Sequence, residues 1–148
     1  MDQIVLREME LEDVDQVHNI EELSFATPWS KEAFINEIEQ NKFATYIVLE
    51  LEGVIVGYCG IWLVIDEAHI TNIAILPEFR GKKLGEFLFK HVIDFAKKKG
   101  ATLLSLEVRV SNIVAQKLYR KFGLIPGGIR KNYYVDNQED AVVMWVNL

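Results

Sequence analysis

Leu106-Glu107-Val108-Arg109, Ser111-Asn112 and Leu118-Tyr119 set a carboxylate and a phenol twelve residues apart. Glu107 stands at the end of an apolar run (Leu103, Leu104, Leu106, Val108) that reads as a strand. Tyr119 falls on what reads as the next helix. A strand and a helix joined by a short loop fold back on each other, so the two groups can meet. A carboxylate and a phenol make a plausible base and acid for moving protons around an amine and a thiol. The competing reading is an edge-strand glutamate and a half-buried tyrosine, and so short a motif does not separate the two.

A second stretch supplies a place for an anion. The strand-like His69–Leu76 runs into Pro77-Glu78-Phe79-Arg80-Gly81-Lys82-Lys83-Leu84-Gly85 and then into the strongest helix of the chain. Gly81 and Gly85 let backbone approach a ligand closely. The unpaired N–H groups of the first helical turn point outward, and the helix dipole favours negative charge. Arg80, Lys82 and Lys83 add positive charge, so a pyrophosphate fits. The spacing matches neither the dinucleotide nor the P-loop glycine pattern.

The elements that hold these residues follow from periodicity. Ile4-Val5-Leu6 predicts a strand, and Val14, Val17 and Ile20 predict a helix over about 11–24. Thr27-Pro28-Trp29 breaks it. Ser30 then caps a second helix carrying Phe34, Ile35 and Ile38. Phe43–Glu50 and Val54–Ile65 flank Glu52-Gly53, a hairpin signal. Asp66-Glu67 reads as a turn before the His69–Leu76 strand. Leu84, Phe87, Leu88, Val92, Phe95 and Ala96 form a helical stripe that Gly100 stops. Thr102–Val108 is the next strand. A helix over about 112–121, begun by Ser111 or Asn112, precedes strand-like Leu124–Pro126, Ile129–Val135 and Ala141–Val146. The order β-α-α-β-β-β-α-β-α-β-β implies an α/β fold, a mixed sheet of about seven strands with four helices on both faces. With no linker or repeat, 1–148 reads as a single domain.

Composition narrows the function. The formal net charge is −6, yet residues 1–78 hold sixteen acids against three bases, and residues 79–131 hold three against thirteen. A polyanion belongs near the basic segment and a cationic partner near the acidic one. Nucleic acid is disfavoured, because the basic segment lacks interleaved aromatics. The one cysteine, Cys59, lies in the apolar run Ile55–Val64 and reads as a buried hydrophobe suited to a reducing cytosol. No basic n-region or long apolar span suggests export or a membrane. His18, His69 and His91 show no metal spacing with Cys59, so no metal is expected and His69 and His91 read as structural. Phe25 and Trp29, either side of Pro28, read equally as a hydrophobic staple or a peptide-binding wall. Tyr133 and Tyr134 alternate along an expected strand, one toward the core and one toward the site.

Arg80 to Gly85, on its strand–loop–helix, resembles the acetyl-CoA motif Arg/Gln-x-x-Gly-x-Gly/Ala of the GCN5-related N-acetyltransferase (GNAT) superfamily, and the likeness spans the whole chain. Lys83 stands where the motif's first glycine usually sits. Leu106-Glu107-Val108-Arg109-x-Ser111-Asn112-x-x-Ala115-x-x-Leu118-Tyr119, then Ile129-Arg130-Lys131-Asn132-Tyr133-Tyr134, resembles the RimI branch, the ribosomal-protein-alanine N-acetyltransferases. Ser24-Phe25-x-x-Pro28-Trp29-Ser30 and Asn72-Ile73-Ala74 are similar to it as well. Most of that branch has proline where Val135 stands. The resemblance implies acetyl-CoA as cosubstrate, held by the backbone of Ile73, Ala74 and Ile75, by Arg80, Gly81, Lys82, Lys83, Leu84, Gly85 and Glu86, and by Asn112. It implies Glu107 as general base and Tyr119 as general acid. Phe25, Trp29, Tyr133 and Tyr134 become candidates for the substrate wall. The implied reaction is direct acetylation of the N-terminal alanine of a small-subunit ribosomal protein with basic residues behind its terminus, in the cytoplasm. The alternatives are acetylation of a lysine or small amine, and a non-catalytic acetyl-CoA-binding module.

Overall fold

The computed structural model describes residues 3–148. Seven strands form one sheet: β1 (Ile4–Glu8), β2 (Ala44–Leu51), β3 (Val54–Val64), β4 (Glu67–Ile75), β5 (Leu103–Arg109), β6 (Ile125–Arg130) and β7 (Ala141–Asn147). Their order is β1-β2-β3-β4-β5-β7-β6. The four helices are α1 (Val14–Ser24), α2 (Lys31–Glu39), α3 (Leu84–Lys98) and α4 (Ile113–Lys121), with short 3-10 turns at Leu11–Asp13 and Pro77–Phe79. The expected order of elements holds.

Local chemistry accounts for most boundaries. Ser30 caps α2 by accepting from the Ala33 N–H at 3.1 Å. Glu52 and Gly53 sit at φ 54° and 83°, the geometry of a two-residue hairpin turn. The turn before β4 falls at Ile65-Asp66, one residue earlier than expected. Ile65 is 96 % exposed at φ 57°, an unusual place for a β-branched residue, and Glu67 is already in the strand. A larger correction concerns Ile129–Val135. The strand stops at Arg130, so Tyr133 and Tyr134 lie in the loop between β6 and β7.

β3 is buried at seven consecutive positions, Ile55 to Ile61, as a strand covered on both faces must be. α1 and α2 cover the face of Tyr58, whose hydroxyl donates to Glu21 and whose ring meets Phe34 edge-on. α3 packs on the other face, with Leu88, Phe89 and Val92 fully buried, and α4 joins it through Tyr119 against Phe89.

One junction matters for everything that follows. β4 and β5 are parallel neighbours, and they pair only at Glu67–Leu103, Ala68–Leu104 and His69–Ser105. Just beyond, the β3–β4 register shifts between Gly60 and Ile61, leaving Thr71 as an extra residue in β4. A bulge bends its strand. Gly60 makes room for it, since a Cβ there would lie 2.5 Å from Thr71 Oγ1 and from the Tyr46 ring. β4 therefore runs on from Ile70 to Ile75 with no β5 partner, and a slot opens through the sheet.

Candidate active site

The slot forms a cavity of about 390 Å³. Glu107, Tyr119, Asn112, Ile73, Phe25, Trp29, Tyr133 and Tyr134, eight of the expected site residues, all line it. Arg80 to Glu86 do not. They form the loop and first helical turn at the end of β4.

Glu107 alternates along β5 with Leu106 and Val108, which are buried. Its Oε1 is anchored twice, by the Tyr133 hydroxyl at 3.3 Å and by His69 Nε2 at 3.3 Å. Its Oε2 has no hydrogen-bond partner among the described residues and is not sealed from solvent. The carboxylate thus keeps one oxygen for an incoming proton. Burial pushes its pKa up, but His69, with Arg130 and Tyr133, outweighs that and holds it below the ordinary carboxylate value. It is ionised at neutral pH.

Tyr119 approaches from α4. It is 6 % exposed, with its ring 5.1 Å from that of Phe89. Its hydroxyl finds no partner among the described residues, yet it is not sealed from solvent. Burial, above all, lifts the phenol well above its ordinary pKa. A buried phenol held protonated on the cavity wall is suited to donate. Asn112 Oδ1 accepts from the Ala115 N–H at 3.1 Å, capping α4, while the residue also lines the cavity.

β4 offers backbone groups to the slot. Leu76 N–H donates to Val56 C=O at 2.8 Å across the β3–β4 ladder. Because antiparallel partners alternate, Ala74 and Asn72 also turn their amides to β3. Ile73 and Ile75, and not Ala74, direct theirs to the gap that β5 has left. The Ile75 carbonyl accepts from Arg80 Nε at 2.9 Å, and Arg80 Nη2 donates to Ser24 Oγ at 3.1 Å. The Arg80 guanidinium therefore braces β4 against α1, and its contacts are internal.

The α3 N-terminus is open. Lys83 occupies its cap position with no side-chain cap. Its φ of 64° shows that a lysine has taken the left-handed conformation a glycine adopts without strain. Lys121 pairs with Glu86 at 2.5 Å and pulls the Glu86 carboxyl below its ordinary value. That pairing offsets the one acid in the turn. Lys83→Gly is expected to stabilise the fold by about 0.5–1 kcal/mol in urea unfolding, because the left-handed strain disappears. The same change is expected to weaken acetyl-CoA binding several-fold in calorimetry, because a cation leaves the loop.

Trp29 packs on Phe34 and Tyr46 at 5.5 and 6.4 Å, Phe25 is more exposed, and both line the cavity. Tyr133 and Tyr134 stack edge-on at 5.1 Å. Arg109 holds their loop. It donates to Asp136 at 2.9 Å and to Glu139 at 3.1 Å, and lies 4.0 Å from the Tyr134 ring centre. Ser111 and then Arg109 push the Glu139 carboxyl down to about 2 through hydrogen bonds.

Four residues here were not singled out from sequence as site residues: Arg109, His69, Glu21 and Asn72. Arg109 follows Glu107 by two, so it shares its strand face. Glu21 continues the Val14-Val17 stripe at helical spacing, a carboxylate at a core position. It accepts from Tyr58, from the Trp29 N–H at 2.9 Å and from Asn72 at 3.3 Å, tying α1 to the bulged strand.

A mixed sheet slotted between two parallel strands, with an anion-ready helix start beside it, is the frame of an acyltransferase. Residues 14–124 match the acetyltransferase (GNAT) family, and the chain belongs to it. It is 57 % identical over 143 residues (97 % of this chain, 95 % of the relative) to a Bacillus subtilis (strain 168) protein provisionally named ribosomal protein bS18-alanine N-acetyltransferase. It is 36 % identical over 140 residues, 92 % of both chains, to the Escherichia coli (strain K12) ribosomal protein bS18-alanine N-acetyltransferase. The crystal structure of the Escherichia coli ribosomal-protein-S18-alanine N-acetyltransferase superposes with a TM-score of 0.90 at 33 % identity, covering 98 % of this chain and 94 % of that one. The chain is an N-acetyltransferase.

Proposed function

We propose that this enzyme transfers the acetyl group of acetyl-CoA directly to the α-amine of the N-terminal alanine of ribosomal protein bS18. The relatives that carry that name support the substrate, and the family's general use of acetyl-CoA supports the donor. The observation that carries the mechanism is one cavity lined by an ionised carboxylate and a protonated phenol, each with an open oxygen.

An α-amine has a reference pKa of about 7.7–8.0, so much of it is protonated at neutral pH. Glu107 Oε2 takes its proton. The freed nitrogen attacks the thioester carbonyl, an N–C bond forms, and the C–S bond breaks as the nitrogen releases its second proton to solvent. The Tyr119 hydroxyl gives a hydrogen bond and then its proton to the departing thiolate, and recovers a proton from solvent. The amides of Ile73 and Ile75 hold the donor's arm and polarise its carbonyl. Uncapped α3 amides, with Lys82 and Lys83, hold its pyrophosphate. No protein nucleophile takes part, and Cys59, fully buried with its thiol pushed far up by burial, is unsuited to be one. Phe25, Trp29, Tyr133 and Tyr134 wall the peptide. The acid-rich α1–α2 half suits basic residues behind the terminus.

Acetyl-CoA and an alanine-initiated bS18 peptide test this. The expected product carries acetyl on the α-amine, and the N-blocked, lysine-containing version of the peptide stays unmodified. Equal acetylation of the blocked peptide would transfer the reading to lysine.

A further inference from the structure

His69 takes no part in the mechanism above, yet it touches the base. It stands at the last paired rung between β4 and β5, opposite Ser105, where the slot begins. Its Nε2 lies 3.3 Å from Glu107 Oε1, and its Nδ1 lies 3.3 Å from Ser105 Oγ. The side chain of Glu107 is 10 % exposed and that of His69 is 34 %. The imidazole therefore lies against a largely buried side chain and is itself a third exposed. Trp62 on β3 flanks it, with ring centres 6.4 Å apart. Facing the pair are the Tyr133 hydroxyl, which donates to Oε1, and the positive charge of Arg130. Ser105 and Trp62 carry no charge.

A positioning role follows from that placement. With Nδ1 accepting from the Ser105 hydroxyl, Nε2–H donates to Oε1 and leaves Oε2 free. A misplacement of about 1 Å at a reacting group costs on the order of 10²-fold.

We propose that His69 is the positioning residue of Glu107: its imidazole fixes Oε1 and so keeps Oε2 free for the substrate amine. The inference rests on Glu107 being the base, as set out under Proposed function.

A double-mutant cycle with kcat and KM measured separately tests it, using wild type, His69→Ala, His69→Gln, Glu107→Gln and the His69→Ala/Glu107→Gln double variant. His69→Ala is expected to lower kcat about tenfold or more, within the ~10²-fold cost of misplacement, with KM for acetyl-CoA unchanged. Gln keeps a donor that can reach Oε1. His69→Gln is therefore expected to recover most of the rate. In the Glu107→Gln background, His69→Ala is expected to change kcat less than about twofold, because the group it positions has gone. Full activity in His69→Ala, no recovery of rate in His69→Gln, or additive losses in the double variant would overturn the proposal. Full activity in Glu107→Gln would instead overturn the assignment of the base.

Discussion

Glu107→Gln is expected to lower kcat/KM by about 10²–10⁴-fold at pH 7, the usual worth of a positioned general base. The substitution preserves shape and leaves Tyr133 and His69 an oxygen to meet at Oε1. What disappears is the open Oε2, replaced by an amide that cannot take a proton. The fold should survive, because the change is isosteric and removes a charge rather than a packed group. The deficit is expected to narrow as pH rises past about 8, where the α-amine is already free and needs its base less. Steady-state rates across pH 6–9 check both parts. A constant or absent deficit would show that Glu107 does not take the proton from the ammonium.

Tyr119→Phe is expected to cost about 10²-fold or more in kcat, with little change in peptide KM. Phenylalanine keeps the contact with Phe89, so stability should move by no more than about 1 kcal/mol. Only the hydroxyl open to the cavity is lost. The direction of the pKa shift makes a second prediction. Burial raises the phenol above its ordinary value of about 10, so it stays protonated through that range. The wild-type rate should show no alkaline fall below about pH 10 assignable to Tyr119. A rate unchanged by the substitution would remove Tyr119 from the mechanism.

Much of the fold was legible because local signals were strong. The α3 stripe ran from Leu84 to Ala96 without conflict, Ser30 was a true cap, and Glu52-Gly53 had turn chemistry. Ile65 hid a turn because isoleucine rarely takes a positive φ. Tyr133-Tyr134-Val135 alternated like a strand, but Arg109 draws that stretch into a loop by contacts about 30 residues distant in sequence. The candidate pair Glu107 and Tyr119 was legible from residue types and spacing. The slot between them was not, because it depends on where β4–β5 pairing stops and on a bulge at Thr71. Both are set by packing across the sheet. His69 carried no motif. Its meaning comes from standing opposite Ser105, two residues before Glu107 on the same face of β5.

The most direct test of the account is mass spectrometry of unacetylated bS18 incubated with acetyl-CoA and either the wild-type protein or Glu107→Gln. The account predicts one acetyl group, on the α-amine of the N-terminal alanine, with wild type, and a rate at least about 10²-fold lower with Glu107→Gln. Acetyl groups on lysines alone, or equal rates of α-acetylation by the two proteins, would contradict it.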